Sequence, residues 1–266
     1  MSQVSCIIPF HSGGDTVARA IDSVIYHPYC LEVVVVVDAS PQPLSPSLSP
    51  ALRKLVEDGK LRIVELATNH GQACARNIGV SVSTGSLLSF LDQDDLYLPG
   101  FYALSVPFMQ SHPKLAALEV GIEIVQDGRV VLSDADPRYA LAVHSAPWNV
   151  LVRRNAFWAC GGFPVESAFR TRIAGEDIVF KNALKQWFHV ASASDKLIRH
   201  HVREGSATDQ YLKRTEVVDG QVVFKTQQDN EADGSWDQAA QVHLQRAWSA
   251  LEAYRAVGEG PLIGAP

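Results

Sequence analysis

Short apolar runs alternate with amphipathic segments in the amino-terminal part of the chain. Four runs have the length and apolarity of buried strands, at residues 4–9, 32–37, 61–66 and 86–91. Two segments between them, 16–26 and 72–82, carry apolar side chains at the spacing of a helix. The five consecutive valines at 33–37 leave no polar face, which is typical of a central strand in a parallel sheet. This alternation predicts βαβ units and an α/β fold.

The pattern becomes less regular after Leu98. Helical spacing returns at 101–111, 176–187 and 236–257, and strand-like runs occur at 116–132, 149–152 and 190–201. Asp127-Gly128 divides the first of these runs and predicts a hairpin turn. Residues 40–50 are predicted to form an exposed loop without regular structure, because their prolines lack N–H donors. The Gly/Pro-rich end at 258–266 is predicted to be irregular as well.

Composition narrows the function classes that need to be considered. The 266 residues are 47% hydrophobic and 20% charged, as in a globular protein. The formal net charge of −6 and the lack of a cationic stripe argue against a nucleic-acid partner. An acidic enzyme that handles phosphates would therefore need a local cation, either a bound metal ion or an arginine.

Cysteine usage and the amino terminus predict a cytoplasmic location. Four cysteines are scattered along the chain without a Cys-x-x-Cys pair: Cys6, Cys30, Cys74 and Cys160. Buried free thiols are expected for Cys6, Cys74 and Cys160, whose neighbours are apolar or small, and free thiols favour a reducing compartment. No signal segment precedes the first strand, and no apolar run approaches the roughly 20 residues of a membrane span. Peripheral contact with a membrane surface stays open.

The most informative polar residues follow the fourth predicted strand. Ligands of open parallel sheets bind at the carboxyl ends of the strands, so side chains placed there carry the most weight. Asp92, Asp94 and Asp95 place three carboxylates within four residues, directly after the apolar run 87–91. They repel one another unless a cation compensates, and Mg²⁺ and Mn²⁺ prefer oxygen ligands. The pattern favours a divalent-ion site over the alternative, a solvated acidic turn in front of a helix.

Several short motifs occur in a definite order along the chain. They are Cys6-Ile7-Ile8-Pro9-Phe10, Asp38 at the end of the valine strand, Asn69-His70-Gly71, Ala75-Arg76-Asn77, Phe90-Leu91-Asp92-Gln93-Asp94-Asp95, Gly161-Gly162-Phe163, Gly175-Glu176-Asp177 and the segment 199–208. This ordered set resembles the family 2 glycosyltransferases over about residues 3–208.

The resemblance implies a GT-A fold, in which helices flank a Rossmann-like, mostly parallel central sheet and the acceptor-side region is irregular. It also implies a division of the chain. A glycosyltransferase domain would cover residues 1–210, with a nucleotide-binding half at 1–97 and an acceptor-side half at 98–210. A carboxyl-terminal hairpin and helix extension would follow at 211–266.

On the nucleotide side, the resemblance implies a role for each of five residues. Pro9 and Phe10 would border the nucleobase, and Asp38 would accept its hydrogen bonds. Arg76 would lie near the base or the phosphates, and Asp92 would hold the ribose. The alternatives from the residues alone are a turn residue for Asp38 and a surface ion pair for Arg76.

On the metal and acceptor side, the resemblance implies that Asp94 ligates the ion and that Asp95 supports this shell. His201 would complete the shell or contact the diphosphate; the alternative is a surface pair with His200. Asp177, ahead of Glu176, would take the proton from the acceptor hydroxyl. The alternative for both acids is the favourable position of a carboxylate in the first turn of a helix.

Two departures from the family pattern border the expected nucleotide pocket. The chain has Phe10-His11 where the family usually has Tyr-Asn, and Ala39 where a second Asp usually follows the position of Asp38. They leave the donor base open, with a UDP-sugar favoured. The Gln-x-x-Arg-Trp motif of processive membrane synthases is absent, which favours a single transfer.

The resemblance implies an inverting transfer from a nucleoside-diphosphate sugar to an acceptor hydroxyl, with Mn²⁺ or Mg²⁺ and no organic cofactor. The acceptor, a glycan, a lipid-linked molecule or a small molecule, is not assigned. Three other functions share parts of the pattern. A phosphohydrolase could use Asp92 as nucleophile and Asp94 as acid with Mg²⁺, but Asp95 and Leu96 replace the Thr or Val usual after that pair. A nicotinamide enzyme would need Gly-x-Gly-x-x-Gly after the first strand, which is absent. A catalytically silent nucleotide-sugar-binding module would keep the same residues.

Overall fold

The computed structural model describes residues 3–170, 175–225 and 235–256. Its strands are β1 (Val4–Phe10), β2 (Cys30–Asp38), β3 (Leu61–Leu66), β4 (Leu87–Phe90), β5 (Leu96–Tyr97), β6 (Ala117–Gln126), β7 (Arg129–Leu132), β8 (Val150–Arg153), β9 (Val190–His201), β10 (Thr215–Val218) and β11 (Gln221–Phe224). Its helices are α1 (Gly14–Ile25), α2 (Pro50–Glu57), α3 (Gln72–Val82), α4 (Phe101–Ser111), α5 (Arg138–His144), α6 (Arg154–Ala159), α7 (Glu176–Trp187), α8 (Ala207–Arg214) and α9 (Ser235–Ala256). Short 3-10 turns lie at Ser45–Ser47, Pro147–Asn149 and Ser167–Arg170.

Within the described residues, nine strands form one sheet in the order β3-β2-β1-β4-β8-β6-β9-β5, with β7 paired to β6. Strands β1 to β4 are parallel to one another, so the predicted α/β fold with βαβ units is confirmed. In the second half β8 runs antiparallel to β4 and β6, whereas β6 and β9 are parallel. The residues after Leu98 thus continue the same sheet as mixed strands and are more regular than the sequence pattern predicts.

The valine strand β2 lies inside the sheet and is covered on both faces. Val33, Val35 and Val37 belong to the core cluster that contains the apolar side of α1. Val34 and Val36 belong to the opposite cluster, together with apolar residues of α3. Successive side chains of a strand point to opposite faces, so a strand buried on both sides has no polar alternation. The prediction of a doubly covered strand is confirmed.

The proline-rich segment 40–50 is more regular than predicted. Ser45–Ser47 form a 3-10 turn, and α2 begins at Pro50. Ser49 caps this helix, because its side chain accepts the Leu52 N–H at 3.2 Å. The prediction that prolines exclude regular structure here was wrong. At the first position of a helix the backbone N–H has no intrahelical partner, so proline loses nothing there.

Beyond the family motifs, a hairpin of β10 and β11 pairs separately from the main sheet, and α9 packs back on the domain. The ring of Trp236 makes an edge contact with Phe169 at 5.8 Å between centroids. Further along α9, the ring nitrogen Nε2 of His243 lies 3.2 Å from the carbonyl oxygen of Cys160. The ring of Trp248 also lies 5.4 Å from that of Trp187 on α7, so α9 contacts segments before residue 171 and after residue 174. The predicted irregular end at 258–266 lies outside the described residues.

Two further observations concern the cysteines and membrane-spanning helices. The four cysteines all lie in described segments and are free; Cys6, Cys30 and Cys160 are buried, whereas Cys74 is only half-buried. Burial was predicted for Cys74, but its position near the start of α3 leaves it partly open. No helix in the described part of the chain is long and apolar enough to cross a membrane.

Candidate active site

The carboxyl end of β2 fastens the loop that follows β3. The carboxylate of Asp38 accepts the backbone N–H groups of His70 and Gly71, each at 2.7 Å. The ring nitrogen Nδ1 of His11 lies 2.9 Å from the backbone oxygen of Asp38. Because a carbonyl oxygen can only accept, Nδ1 carries the proton in this contact, and Nε2 is the acceptor of a neutral ring. Asp38 thus shapes the loop with the motif Asn69-His70-Gly71.

Pro9 and Phe10, predicted to border the nucleobase, are both buried in β1. The ring of Phe10 belongs to the main core cluster, on the same face as Val35 and Val37 of β2. These two residues therefore lie beneath the carboxyl edge of the sheet. His11 is the first exposed side chain after them.

The three carboxylates after β4 have separate partners. Asp92 accepts hydrogen bonds from Arg76 Nη2 at 2.7 Å and from Trp148 Nε1 at 3.0 Å. Asp94 forms an ion pair with Arg203, whose side chain is 60% exposed. Burial raises the pKa of Asp94 to about 6, and the charges of Asp95 and Asp92 add to this effect. Of the three, Asp94 is the one whose ion-pair partner among the described residues is an exposed surface cation.

Asp95 is fully buried and is held by the end of β9. Its carboxylate lies 2.9 Å from His200 Nδ1 and accepts the backbone N–H of His201 at 2.9 Å. Burial raises the pKa of Asp95. Burial alone would lower the pKa of His200, but the adjacent Asp95 carboxylate outweighs it, so the His200 pKa is raised. Asp95 and His200 therefore form a charge-compensated pair. This pair anchors the segment of Asp92, Asp94 and Asp95, called the acidic turn below, to the end of β9.

Arg76 connects this cluster to the start of α7. Its guanidinium is buried, with 1% of the side chain exposed, and lies between two carboxylates. Besides Asp92, it contacts Glu176 Oε1 at 3.3 Å. A surface ion pair is thereby excluded for Arg76. Arg76 thus joins Asp92, after β4, to Glu176, at the start of α7.

Glu176 and Asp177 are neighbours with different surroundings. Gly175, whose φ is +97°, turns the chain into α7, and a Cβ there would lie 2.8 Å from Trp236 Nε1. Glu176 is buried and paired with Arg76. The Asp177 carboxylate accepts the N–H of Ile178 at 2.7 Å, and no lysine or arginine of the described segments contacts it directly. Burial raises the pKa of Asp177 to about 7, and the charge of Glu176 adds to this.

The packing of α7 holds these two acids rigidly. Phe180 and Leu184 are buried in the second core cluster, and Trp187 packs against its edge. Lys181, one turn after Asp177, is also buried and contacts Glu119 Oε1 at 3.0 Å. The predicted apolar face of this helix is confirmed, with an unexpected charge inside it.

His201 lies next to the acidic turn, but its ring is less engaged than that of His200. Its Nδ1 atom is buried and has no hydrogen-bond partner among the described residues. Burial lowers the pKa of His201. Within the segments that the structure describes, no group of three or more His, Cys, Asp or Glu side chains is arranged to hold a metal ion.

Sequence analysis missed several residues of the site. Trp148, Arg203 and Lys181 were not singled out, and His200 was considered only as part of a surface pair. Lys181 could have been found, because it lies at helical spacing from Leu184 on the apolar face of α7. Nothing in the local sequence marks Trp148 as a neighbour of the acidic turn.

Comparison with known proteins supports the family assignment. The model of Glycosyl transferase family 2 matches residues 5–160. Succinoglycan biosynthesis protein ExoU of Rhizobium meliloti is 35% identical over 101 residues, covering 37% of this chain and 28% of that protein. ExoO of the same organism is 33% identical over 97 residues, covering 36% of this chain and 26% of its own length. The matched region is thus about a quarter of each of these relatives.

Two solved structures share the fold. Residues 1–349 of S. aureus TarS, in complex with UDP, align with a TM-score of 0.58 at 19% identity, over 79% of this chain and 62% of that one. The mannosyltransferase PcManGT of Pyrobaculum calidifontis, in complex with GDP-Man and Mn²⁺, aligns with a TM-score of 0.58 at 18% identity, over 98% and 77%. The chain belongs to glycosyl transferase family 2 and has the GT-A fold of such enzymes.

Proposed function

We propose that the chain is a metal-dependent, inverting glycosyltransferase that moves a sugar from a nucleoside diphosphate to an acceptor hydroxyl. The observation that carries this proposal is the Arg76 bridge. It joins the acidic turn, through Asp92, to the turn that presents Asp177, through Glu176. Groups suited to a cation and a group suited to accept a proton are thereby neighbours.

The residues of the acidic turn fit a divalent ion that is shared with a diphosphate. The oxygens of Asp92 and Asp95 are engaged by protein donors, whereas the ion-pair partner of Asp94 among the described residues is the exposed Arg203. Mg²⁺ in proteins is commonly held by one or two carboxylates, with phosphates and water completing the shell. Asp94 would hold the ion directly, with Asp95 in support. His201, with its unpaired Nδ1, is the second candidate ligand. A bound ion would neutralise charge that develops on the leaving diphosphate.

A nucleoside-diphosphate sugar is supported as the donor. The solved TarS structures contain UDP or UDP-GlcNAc, and the PcManGT structure contains GDP-Man. These neighbours differ in base, so UDP stays a preference for this chain. The loop fastened by Asp38 and the exposed ring of His11 would face the base, above the buried Pro9 and Phe10. Asp92, held on both oxygens, would present a fixed carboxylate edge to the ribose.

Asp177 is the proposed general base. A base works best when its pKa lies near the operating pH, and burial raises the pKa of Asp177 to about 7. Asp177 would take the proton of the acceptor hydroxyl as that oxygen forms its bond to the anomeric carbon. The bond from the anomeric carbon to the diphosphate breaks on the opposite face, so the configuration inverts. Glu176 is less suited, because its Oε1 is already engaged by the guanidinium of Arg76 at 3.3 Å.

The structure weighs against the phosphohydrolase alternative. That reaction needs a free Asp92 oxygen as nucleophile, yet Arg76 and Trp148 each bind one of its oxygens. The silent binding module is separated from a transferase by its products alone. The succinoglycan relatives support polysaccharide or glycoconjugate assembly as the setting, with the acceptor unassigned.

Incubation with a panel of UDP- and GDP-sugars and Mn²⁺, followed by chromatography of the nucleotides and sugars, tests the proposal. A transferase releases the nucleoside diphosphate and attaches the sugar to an acceptor. Without an acceptor, it slowly hydrolyses the donor to the nucleoside diphosphate and free sugar. Release of inorganic phosphate would indicate the phosphohydrolase, and binding without turnover would indicate the silent module.

A further inference from the structure

We propose that Trp148 is a positioning residue that sets the geometry of the acidic turn on both sides of Asp94. This inference rests on the proposed function, because it concerns how the turn receives a cation and a diphosphate. Trp148 lies in the 3-10 turn Pro147–Asn149, in the acceptor-side half of the chain. Its side chain is buried, with the residue only 6% exposed.

The indole of Trp148 makes two different contacts with the site. Its Nε1–H donates a hydrogen bond to Asp92 Oδ2 at 3.0 Å. Its ring stacks on the imidazole of His200, with 4.8 Å between centroids and 20° between planes. His200 in turn holds the carboxylate of Asp95 through Nδ1 at 2.9 Å. One side chain therefore restrains the carboxylates on both sides of Asp94. It holds Asp92 directly and Asp95 through His200.

These restraints matter because the turn concentrates negative charge. Each carboxylate must keep a defined distance from the others for an ion to bind at Asp94 without added repulsion. Hydrogen bonds to charged groups are stronger than those between neutral groups, and a buried carboxylate oxygen that loses its donor is destabilised. The indole N–H supplies one of the two donors of Asp92; Arg76 supplies the other.

Trp148 is itself held by the helix that carries the proposed base. Lys181 Nζ donates to the carbonyl oxygen of Ala146 at 3.2 Å and to Asn149 Oδ1 at 2.9 Å, on either side of Trp148. Lys181 belongs to α7, one turn after Asp177. From the other side, the hydroxyl of Tyr97 donates to the carbonyl oxygen of Phe90 at 2.6 Å and lies 3.2 Å from the carbonyl oxygen of Trp148. The indole therefore links the helix of Asp177 to the acidic turn by a second route, distinct from Arg76.

Calorimetric titration of Trp148→Phe with UDP and with GDP, each with Mn²⁺, tests the inference. Phenylalanine keeps a ring against His200 and removes only the N–H donor. We expect diphosphate binding to weaken on the order of tenfold, the loss typical of one hydrogen bond to a charged group. Trp158→Phe is the matched control, because Trp158 is 43% exposed on α6; it should bind like the wild type.

A double-mutant cycle with Asp92→Asn separates positioning from a general loss of structure. If Trp148 acts through Asp92, the effects of Trp148→Phe and Asp92→Asn on affinity will not add. Full additivity, or wild-type affinity in Trp148→Phe, overturns the inference while the proposed function stands. A wild-type chain that binds neither UDP nor GDP with Mn²⁺ overturns both.

Indole N–H resonances of the ¹⁵N-tryptophan-labelled wild type give a measurement that does not require Trp148→Phe to fold. We expect one indole proton to be protected from solvent exchange and to shift in Asp92→Asn. Addition of Mg²⁺ and UDP should shift the same signal. If Asp92→Asn leaves every indole signal in place, Trp148 does not hold Asp92 and the inference is wrong.

Discussion

The guanidinium of Arg76 contacts the carboxylate of Glu176 at 3.3 Å, although the two residues lie 100 positions apart in the chain. The same guanidinium contacts Asp92 at 2.7 Å, so one buried cation compensates acids from both halves of the domain. Glu176 is held by this contact, whereas burial raises the pKa of the adjacent Asp177 to about 7. We propose that the two acids have separate tasks, in which Glu176 positions the turn and Asp177 accepts the proton.

Removal of the bridging cation should destabilise the fold strongly. Arg76→Gln leaves the buried Glu176 and the partly exposed Asp92 without their cation, and breaking a buried ion pair costs about 3–5 kcal/mol of unfolding free energy. Arg246 is the matched control, because its side chain is 75% exposed and pairs with Glu166 at the surface. Arg246→Gln should cost less than about 1 kcal/mol in urea unfolding. Equal losses in the two variants would contradict the bridge.

Asp94→Ala should abolish the dependence of diphosphate binding on the metal. Asp94 is the acid of the turn whose ion-pair partner among the described residues is an exposed arginine, so it is the one available to an ion. Calorimetry with UDP or GDP should show Mn²⁺-strengthened binding in the wild type and no strengthening in Asp94→Ala. Asp134→Asn, at an exposed surface pair, serves as the control. Undiminished Mn²⁺ dependence in Asp94→Ala would remove this residue from the metal site.

The two adjacent histidines should separate when each is changed to alanine. His200 compensates the buried Asp95 and stacks on Trp148, so His200→Ala should lower the unfolding free energy by several kcal/mol. His201 has an unpaired ring nitrogen, so His201→Ala should weaken Mn²⁺-dependent diphosphate binding with little change in stability. Thermal unfolding and calorimetry of both variants check this. The opposite pattern would exchange the roles assigned to the two rings.

The raised pKa of Asp177 predicts a definite sign for stability against pH. The usual carboxyl pKa is 3.8 and the folded value is about 7, so between these values the folded state binds more protons than the unfolded state. The contribution of Asp177 to stability therefore falls as the pH rises through this window. Urea unfolding of the wild type and of Asp177→Asn is measured in EDTA across this pH range. As the pH rises, the wild type should lose unfolding free energy relative to the variant. A constant difference would contradict the raised pKa.

Much of the nucleotide-side half could be predicted, because its signals are local. The run of valines predicts β2, because a strand that is buried on both faces has no polar positions. The helical spacing of apolar residues predicts α3, because that helix is buried on one face. The order of short motifs was sufficient to identify the family. The proline segment was predicted wrongly, since the tolerance for Pro50 depends on a cap by Ser49.

The contacts within the site could not be predicted, because they join distant parts of the chain. The bond from Trp148 to Asp92 spans 56 residues, and that from His200 to Asp95 spans 105. The burial of Arg76 depends on the position of α7, which local patterns do not specify. The strand pairing of β6 with β9 is likewise long-range, so the acceptor-side half was expected to be irregular.

The rate of sugar transfer by Asp177→Asn tests directly whether Asp177 is the general base. The amide keeps the shape of the side chain and removes the proton acceptor. Initial rates with the donor sugar identified by the panel should fall on the order of 10²-fold or more, because general-base help is worth about that much. Calorimetric affinity for the diphosphate with Mn²⁺ should stay close to that of the wild type, and Glu176→Gln should lose less in rate. Transfer by Asp177→Asn at the wild-type rate would show that Asp177 is not the general base.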